Sequence, residues 1–217
     1  MGRDKAWLQD AAGRELWRGR LDLLKELGAG EILISCREDQ KELAGRGARL
    51  IHDQWVDAGP MGGIVSCLEA VGADRLLVLA VDLPGITLKV LTALLAASQG
   101  EPVTGSPPCR QCPEPGLEGQ ANDLPPDSSS PRGAVFLCRG LLEPLVGVYP
   151  KAMAETGRRR LEAGNLALRG WIQEAQAAGL MQVLVAPWEW EEMFVNVNDP
   201  ETWARWTRSQ DPEPQAD

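Results

Sequence analysis

A single histidine, His52, stands in the 217-residue chain. This excludes metal centres built from several histidines and makes a Ser-His-Asp hydrolase improbable. Positive charge is also scarce: 22 Lys and Arg face 31 Asp and Glu, for a net charge of −9. No broad basic footprint follows, so docking along a nucleic-acid backbone is disfavoured. A small anionic substrate is not excluded, because a few local cations and a divalent metal suffice for it. Long apolar runs are missing too. The longest, residues 76–81, is far too short to span a bilayer. The opening Met1-Gly2-Arg3-Asp4-Lys5 has no apolar stretch behind it and does not read as a signal peptide. Five cysteines, odd in number and scattered, point to reduced thiols in a cytoplasmic protein, not to a disulfide framework. What is present, 44% hydrophobic and 24% charged residues, makes a globular chain of one domain, residues 1–209, with a polar tail at 210–217.

Helical spacing of Leu16, Leu23, Leu24 and Leu27 predicts a helix over about residues 14–27, stopped at Gly28. Residues 31–36 and 48–52 read as strands, with a short polar helix at 37–43 between them. Pro60 marks a helix start, and apolar spacing continues that helix to Val71. Residues 75–81 (R-L-L-V-L-A-V) are the strongest strand. Continuous apolar character predicts a central parallel strand covered on both faces. Thr87 can cap a helix to about Ser98. Residues 107–131 hold seven of the sixteen prolines and read as a mobile insertion that buries too little to order itself. Beyond it, a strand is expected at 133–138, helices at 140–148 and 165–178, and strands at 181–186 and 194–198. Asp199-Pro200-Glu201 then opens a last helix. Alternating strands and helices define the α/β class.

Asp82 ends the strongest strand, where open α/β sheets bind ligands. It reads either as a hard-oxygen ligand for Mg²⁺ or as a turn-capping acid. Lys5 is either a point charge for a phosphate or a solvated lysine. Asp53 could accept two N–H groups from a guanine edge, or be an exposed loop acid. The segment Gly59-Pro60-Met61-Gly62-Gly63-Ile64 opens a helix whose free N–H groups can meet an anion, but it fits no dinucleotide or P-loop fingerprint. Cys109 and Cys112 have no second pair to complete a zinc site. Arg158-Arg159-Arg160 with Arg169 is either a contact for a phosphorylated substrate or a solvated surface. Trp188-Glu189-Trp190 reads as a half-buried strand edge or a stacking surface for a flat ring.

In this order the motifs resemble the molybdenum cofactor guanylyltransferases. The start M-G-R-D-K matches the tail of their L-A-G-G-x-S-x-R-M-G-x-D-K loop. Asp53 with Gly59 to Ile64 matches D-x(n)-G-P-L-A-G-I, and Val81-Asp82-Leu83-Pro84 matches V-D-L-P. Gly164, Leu168-Arg169 and Trp171 match G-x-x-x-L-R-x-W, and Asn196-Val197-Asn198-Asp199-Pro200-Glu201 matches N-x-N-T-P-E-D. The resemblance implies a Rossmann-like three-layer nucleotidyltransferase fold with a mostly parallel sheet, lacking the first strand and part of the signature loop. It implies transfer of GMP from GTP to Mo-molybdopterin, with Mg²⁺ as cofactor and molybdoenzymes or their chaperones downstream. Lys5 and Asp82 would be catalytic, and Lys5, Ser35, Asp53 and Asp82 would bind the nucleotide. Asp82 and Asn198 would hold the metal, and Gly62 and Arg169 would bind substrate. Two alternatives stand beside it: a related enzyme using CTP or another acceptor, and a shortened homologue that only binds. Because Met1 falls inside the family's loop, it is expected to be internal to a longer reading frame, or the chain to be inactive as written.

Overall fold

Six strands and six α-helices form among residues 5–10, 12–38, 40–43, 46–55, 57–101 and 132–210, which a computed structural model describes. In order they are α1 (Leu16–Glu26), β1 (Leu33–Cys36), β2 (Arg49–His52), α2 (Gly59–Ala70), β3 (Arg75–Leu79), α3 (Leu88–Ser98), β4 (Gly133–Cys138), β5 (Leu141–Pro150), α4 (Ala154–Glu162), α5 (Leu168–Ala177), β6 (Met181–Val185) and α6 (Pro200–Gln210). The insertion expected at 107–131, with Cys109 and Cys112, lies outside the described residues, as does the tail from 211.

β1 and β2 pair in parallel. A second sheet has the order β3-β5-β4-β6, antiparallel at β3–β5 and β5–β4 and parallel at β4–β6. β3, β4 and β6 therefore run one way, and β5 runs against them. Helices cover both faces. On one, α3 and the 3-10 turn Trp188–Phe194 pack on Phe136, Val146 and Val148, with Leu23 and Leu24 of α1 and Leu27 just after it against them. On the other, α2, α4 and α5 enclose Val135, Tyr149 and Met181. A smaller cluster joins Trp17 and Leu21 of α1 to Cys36 of β1 and to Leu43. This is the three-layer α/β arrangement, with parallel and mixed pairing in its sheets.

Four local expectations are corrected. Residues 140–148 are not a helix but most of β5. Arg139 and Gly140 have φ of 50° and 75°, the left-handed pair of a two-residue hairpin turn whose twist matches its strands. Arg139 is held there by Glu191 at 2.8 Å and Glu192 at 2.9 Å. β3 is not a central parallel strand; its one pairing among the described residues is antiparallel, with β5. Residues 194–198 form no strand, and Trp188 and Trp190 lie in a 3-10 turn. Helix α4 carries no apolar stripe that could be read: Gly157 and Leu161 are its buried residues.

Glu143 of β5 lies across from Phe136 and is half-buried, with no hydrogen bond or ion pair among the described residues. Burial pushes its carboxyl up to about 7. The folded state thus holds a proton that the unfolded chain releases near 4.5, and the stability this supplies is lost as pH rises toward 7. Glu143→Gln is therefore expected to raise the melting temperature above pH 7 and leave it near wild type below 4.5. Paired melting curves at the two ends of this range check it; an equal shift at both would contradict it.

Candidate active site

Asp82 sits just past β3. The Ala80 N–H still donates to the Leu145 carbonyl at 2.9 Å, after which the chain turns. The Asp82 carbonyl accepts the Val197 N–H at 2.9 Å, which fastens the segment containing Asn196 and Asn198 beside it. Gly85 allows the close approach: a Cβ there would lie 2.9 Å from the Met193 carbonyl oxygen. Asp199 then caps α6, its Oδ1 accepting the N–H groups of Glu201 at 2.9 Å and Thr202 at 2.8 Å, as the sequence predicts.

A cavity of about 380 Å³ opens between residues 32–35 on one wall and 79–82 on the other. Ser35, Asp82, Ala6 and Arg20 all line it. Beside it, the first turn of α2 presses on the ends of β1 and β2. A Cβ on Gly62 would lie 2.8 and 3.0 Å from the two Asp53 carboxylate oxygens, and one on Gly63 would collide with Ser35 Oγ. Only glycine lets the helix start reach both polar side chains, and that start carries N–H groups free of intrahelical partners. The Asp53 carboxylate is half-buried and accepts the Trp55 N–H at 3.0 Å. It is therefore not a freely exposed loop acid.

Ser35 and Asp82 thus line one cavity, Asp53 lies against Gly62 in the first turn of α2 as Ser35 does against Gly63, and the segment carrying Asn198 is fastened to the Asp82 backbone. Arg169 does not join them: it is exposed on the first turn of α5 and does not line the cavity. Arg158 pairs with Glu69 at 3.7 Å and Arg160 with Glu174, so two of the four arginines of that basic cluster are engaged in ion pairs. Lys5 opens the 3-10 turn Lys5–Trp7 by its backbone, but its side chain and residues Met1 to Asp4 lie outside the described residues. His52 is 3.8 Å from Cys36 Sγ and lines no part of the cavity. Burial pushes the Cys67 thiol up to about 11 and the Cys36 thiol upward, which leaves both protonated and unreactive at neutral pH.

No group of three His, Cys, Asp or Glu among the described residues could hold a metal ion by itself. Asp82 and Asn198 nevertheless offer oxygen donors of the kind Mg²⁺ uses when substrate phosphates and water complete its shell, so the donor set fits that ion. No helix among the described residues is long and apolar enough to cross a membrane.

Sequence reasoning missed Arg20. From α1 it reaches the turn after Asp82, Nη1 donating to the carbonyls of Leu83 at 3.3 Å and Ile86 at 3.1 Å, and Nη2 to that of Pro84 at 3.0 Å. Burial pulls its pKa down to about 10, with the charge of Arg14 adding to the effect, so it stays protonated at neutral pH. Nothing in an arginine on an amphipathic helix signals contacts more than sixty residues away.

Helices on both faces of such a sheet, with an acid just past β3, suit an α/β protein that binds its ligand at strand ends, and the family match over residues 1–179 makes the chain a nucleotidyltransferase. The fold matches molybdopterin-guanine dinucleotide biosynthesis protein A from Archaeoglobus fulgidus with a TM-score of 0.65, at 18% identity over 96% of this chain and 91% of that one. It matches 2-C-methyl-D-erythritol 4-phosphate cytidylyltransferase from Thermus thermophilus with a TM-score of 0.63, at 18% identity over 94% of this chain and 93% of that one. Residues 1–179 match the MobA-like NTP transferase domain, and the chain belongs to that family. A probable molybdenum cofactor guanylyltransferase of Opitutus terrae is 29% identical over 204 residues, 93% of this chain and 85% of that protein. The molybdenum cofactor guanylyltransferase of Xanthomonas euvesicatoria pv. vesicatoria is 38% identical over 100 residues, 46% of this chain and 49% of that protein.

Proposed function

We propose that the chain transfers GMP from GTP to the terminal phosphate of Mo-molybdopterin, releasing pyrophosphate. The observation that carries this reading is the likeness along 93% of the chain to a probable molybdenum cofactor guanylyltransferase, in a chain whose Asp82 and Ser35 line one cavity. An oxygen of the acceptor phosphate attacks the α-phosphorus of GTP. A new P–O bond forms, the bond from that phosphorus to its bridging oxygen breaks, and the electron pair leaves with pyrophosphate. The acceptor is already anionic at neutral pH, so no general base is needed, in keeping with a cavity that His52 does not line. Asp53 accepts the guanine N1–H and N2–H, while Ser35 and the first-turn amides of α2 border the nucleotide. Lys5 steadies its phosphates. Asp82 and Asn198 would hold Mg²⁺, which when bound would offset the phosphate charge. The reaction would take place in the cytoplasm and supply molybdoenzymes or their chaperones.

The base assignment is checked by turnover of GTP and CTP side by side with the same acceptor. GTP is expected to be preferred by at least about a hundredfold, because cytosine leaves the Asp53 carboxylate without its paired donors. Equal turnover of CTP would overturn that assignment and favour a cytidylyltransferase. Retention of the pterin without GTP affinity would favour a homologue that only binds.

A further inference from the structure

We infer that Arg20 is the positioning residue of the nucleotidyl-transfer site, setting the Asp82 carboxylate by clamping the turn that follows it. The inference rests on the proposed role of Asp82. The turn is held from two sides. Val197 bonds the Asp82 carbonyl itself, and the Arg20 guanidinium bonds the carbonyls of Leu83, Pro84 and Ile86. These four carbonyls all lie between residues 82 and 86, so the backbone carrying Asp82 cannot pivot without breaking charge-assisted hydrogen bonds. Within the turn, the Ile86 N–H donates to the Leu83 carbonyl at 3.3 Å, a long bond that would hold it weakly alone.

Arg20 is an expensive way to fill this space. No carboxylate pairs with it among the described residues, and its Nε is buried without a hydrogen-bond partner. An apolar side chain of similar length would avoid burying that charge and that N–H. What an apolar residue cannot do is donate to three carbonyls at once from a planar fork. Lysine cannot reproduce the fork either, since it presents one nitrogen. Arg20 also lines the same cavity as Asp82 and Ser35, so loosening its grip would be felt at the site itself.

The test is a double-mutant cycle on the full chain, read as the affinity of Mn²⁺ in the presence of GTP, with Mn²⁺ as a spectroscopic probe for the Mg²⁺ site. Arg20→Met is expected to weaken that affinity about tenfold or more, with Arg20→Lys between it and wild type. In an Asp82→Asn background, Arg20→Met should add nothing, because the arginine acts only through that carboxylate. A merely structural arginine would instead give losses that add in the two backgrounds, and that result would overturn the inference. So would wild-type affinity in Arg20→Met beside a loss in Asp82→Asn. If Asp82→Asn binds as wild type does, the role of Asp82 fails and the inference falls with it. Amide hydrogen exchange supplies a readout that needs no ligand. Exchange should accelerate across residues 82–86 in Arg20→Met while β4 stays protected; unchanged exchange there would also overturn the clamp.

Discussion

Asp82→Asn is expected to lower GMP transfer about a thousandfold, the equivalent of roughly 4 kcal/mol of transition-state stabilisation, with the fold unchanged. The substitution keeps shape and size and removes one negative charge. This stretch of chain is held at its backbone groups: the Ala80 N–H donates to Leu145, the Asp82 carbonyl accepts from Val197, and Arg20 donates to the carbonyls of Leu83, Pro84 and Ile86. These bonds survive the change, so circular dichroism and the melting temperature should stay near wild type. The loss should appear in kcat, because a carboxylate that helps to offset charge on the reacting phosphates acts most strongly where that charge reorganises. Transfer within a few-fold of wild type would remove Asp82 from the chemistry and leave it as an acid in a turn.

Trp171→Ala is expected to have the largest effect on stability, about 3–5 kcal/mol. Trp171 is fully buried in α5, stacked on Tyr149 with ring centroids 5.7 Å apart. Its Nε1–H donates to Thr156 Oγ1 at 3.1 Å, tying α5 to α4. A Cβ on Gly157 would lie 2.8 Å from the Trp171 ring, which shows how closely the two helices meet there. Removing the indole opens a cavity under three elements, a large fraction of the roughly 5–15 kcal/mol that holds an ordinary domain together. Trp171→Phe keeps an aromatic surface and loses the hydrogen bond, so it should cost about 1–2 kcal/mol. Urea titration of the three proteins measures both; an alanine variant within about 1 kcal/mol of wild type would show that this contact is not central to the core.

Much of the fold was written in local signals. β4 was legible to its ends because Gly133 and Cys138 bound a short, wholly apolar run. The helix start at Pro60 and the Asp199 cap were equally local, and β3 was read to Val81 although its pairing stops at Leu79. β5 was misread because its leucines and valines suit a helix as well as a strand. Its decisive signal was the turn Arg139-Gly140, and the left-handed arginine there depends on Glu191 and Glu192, fifty residues away. Residues 194–198 looked like a strand because extended chain and strand share one composition; they form no ladder, and the Val197 N–H bonds the Asp82 carbonyl instead.

The site divides in the same way. Asp82 and the Gly62-Gly63 pair could be singled out from sequence, since a strand end and a glycine-rich helix start are short motifs. That Ser35 and Asp53 lie against those two glycines is a matter of how β1 and β2 pack on α2, which no spacing in the chain reports. Arg169 shows the reverse case: a motif match placed it with the others, yet it sits exposed on α5, on the layer formed with α2 and α4, away from the cavity lining.

The most direct test of nucleotidyl transfer is to incubate the full chain with Mg²⁺, Mo-molybdopterin and GTP labelled at the α-phosphate, then identify the products by mass. The expected result is a pterin carrying GMP through a new pyrophosphate linkage, with the label in it and one unlabelled pyrophosphate released for each one formed. GTP recovered intact beside unmodified pterin, from a protein shown to be folded, would contradict the proposed activity.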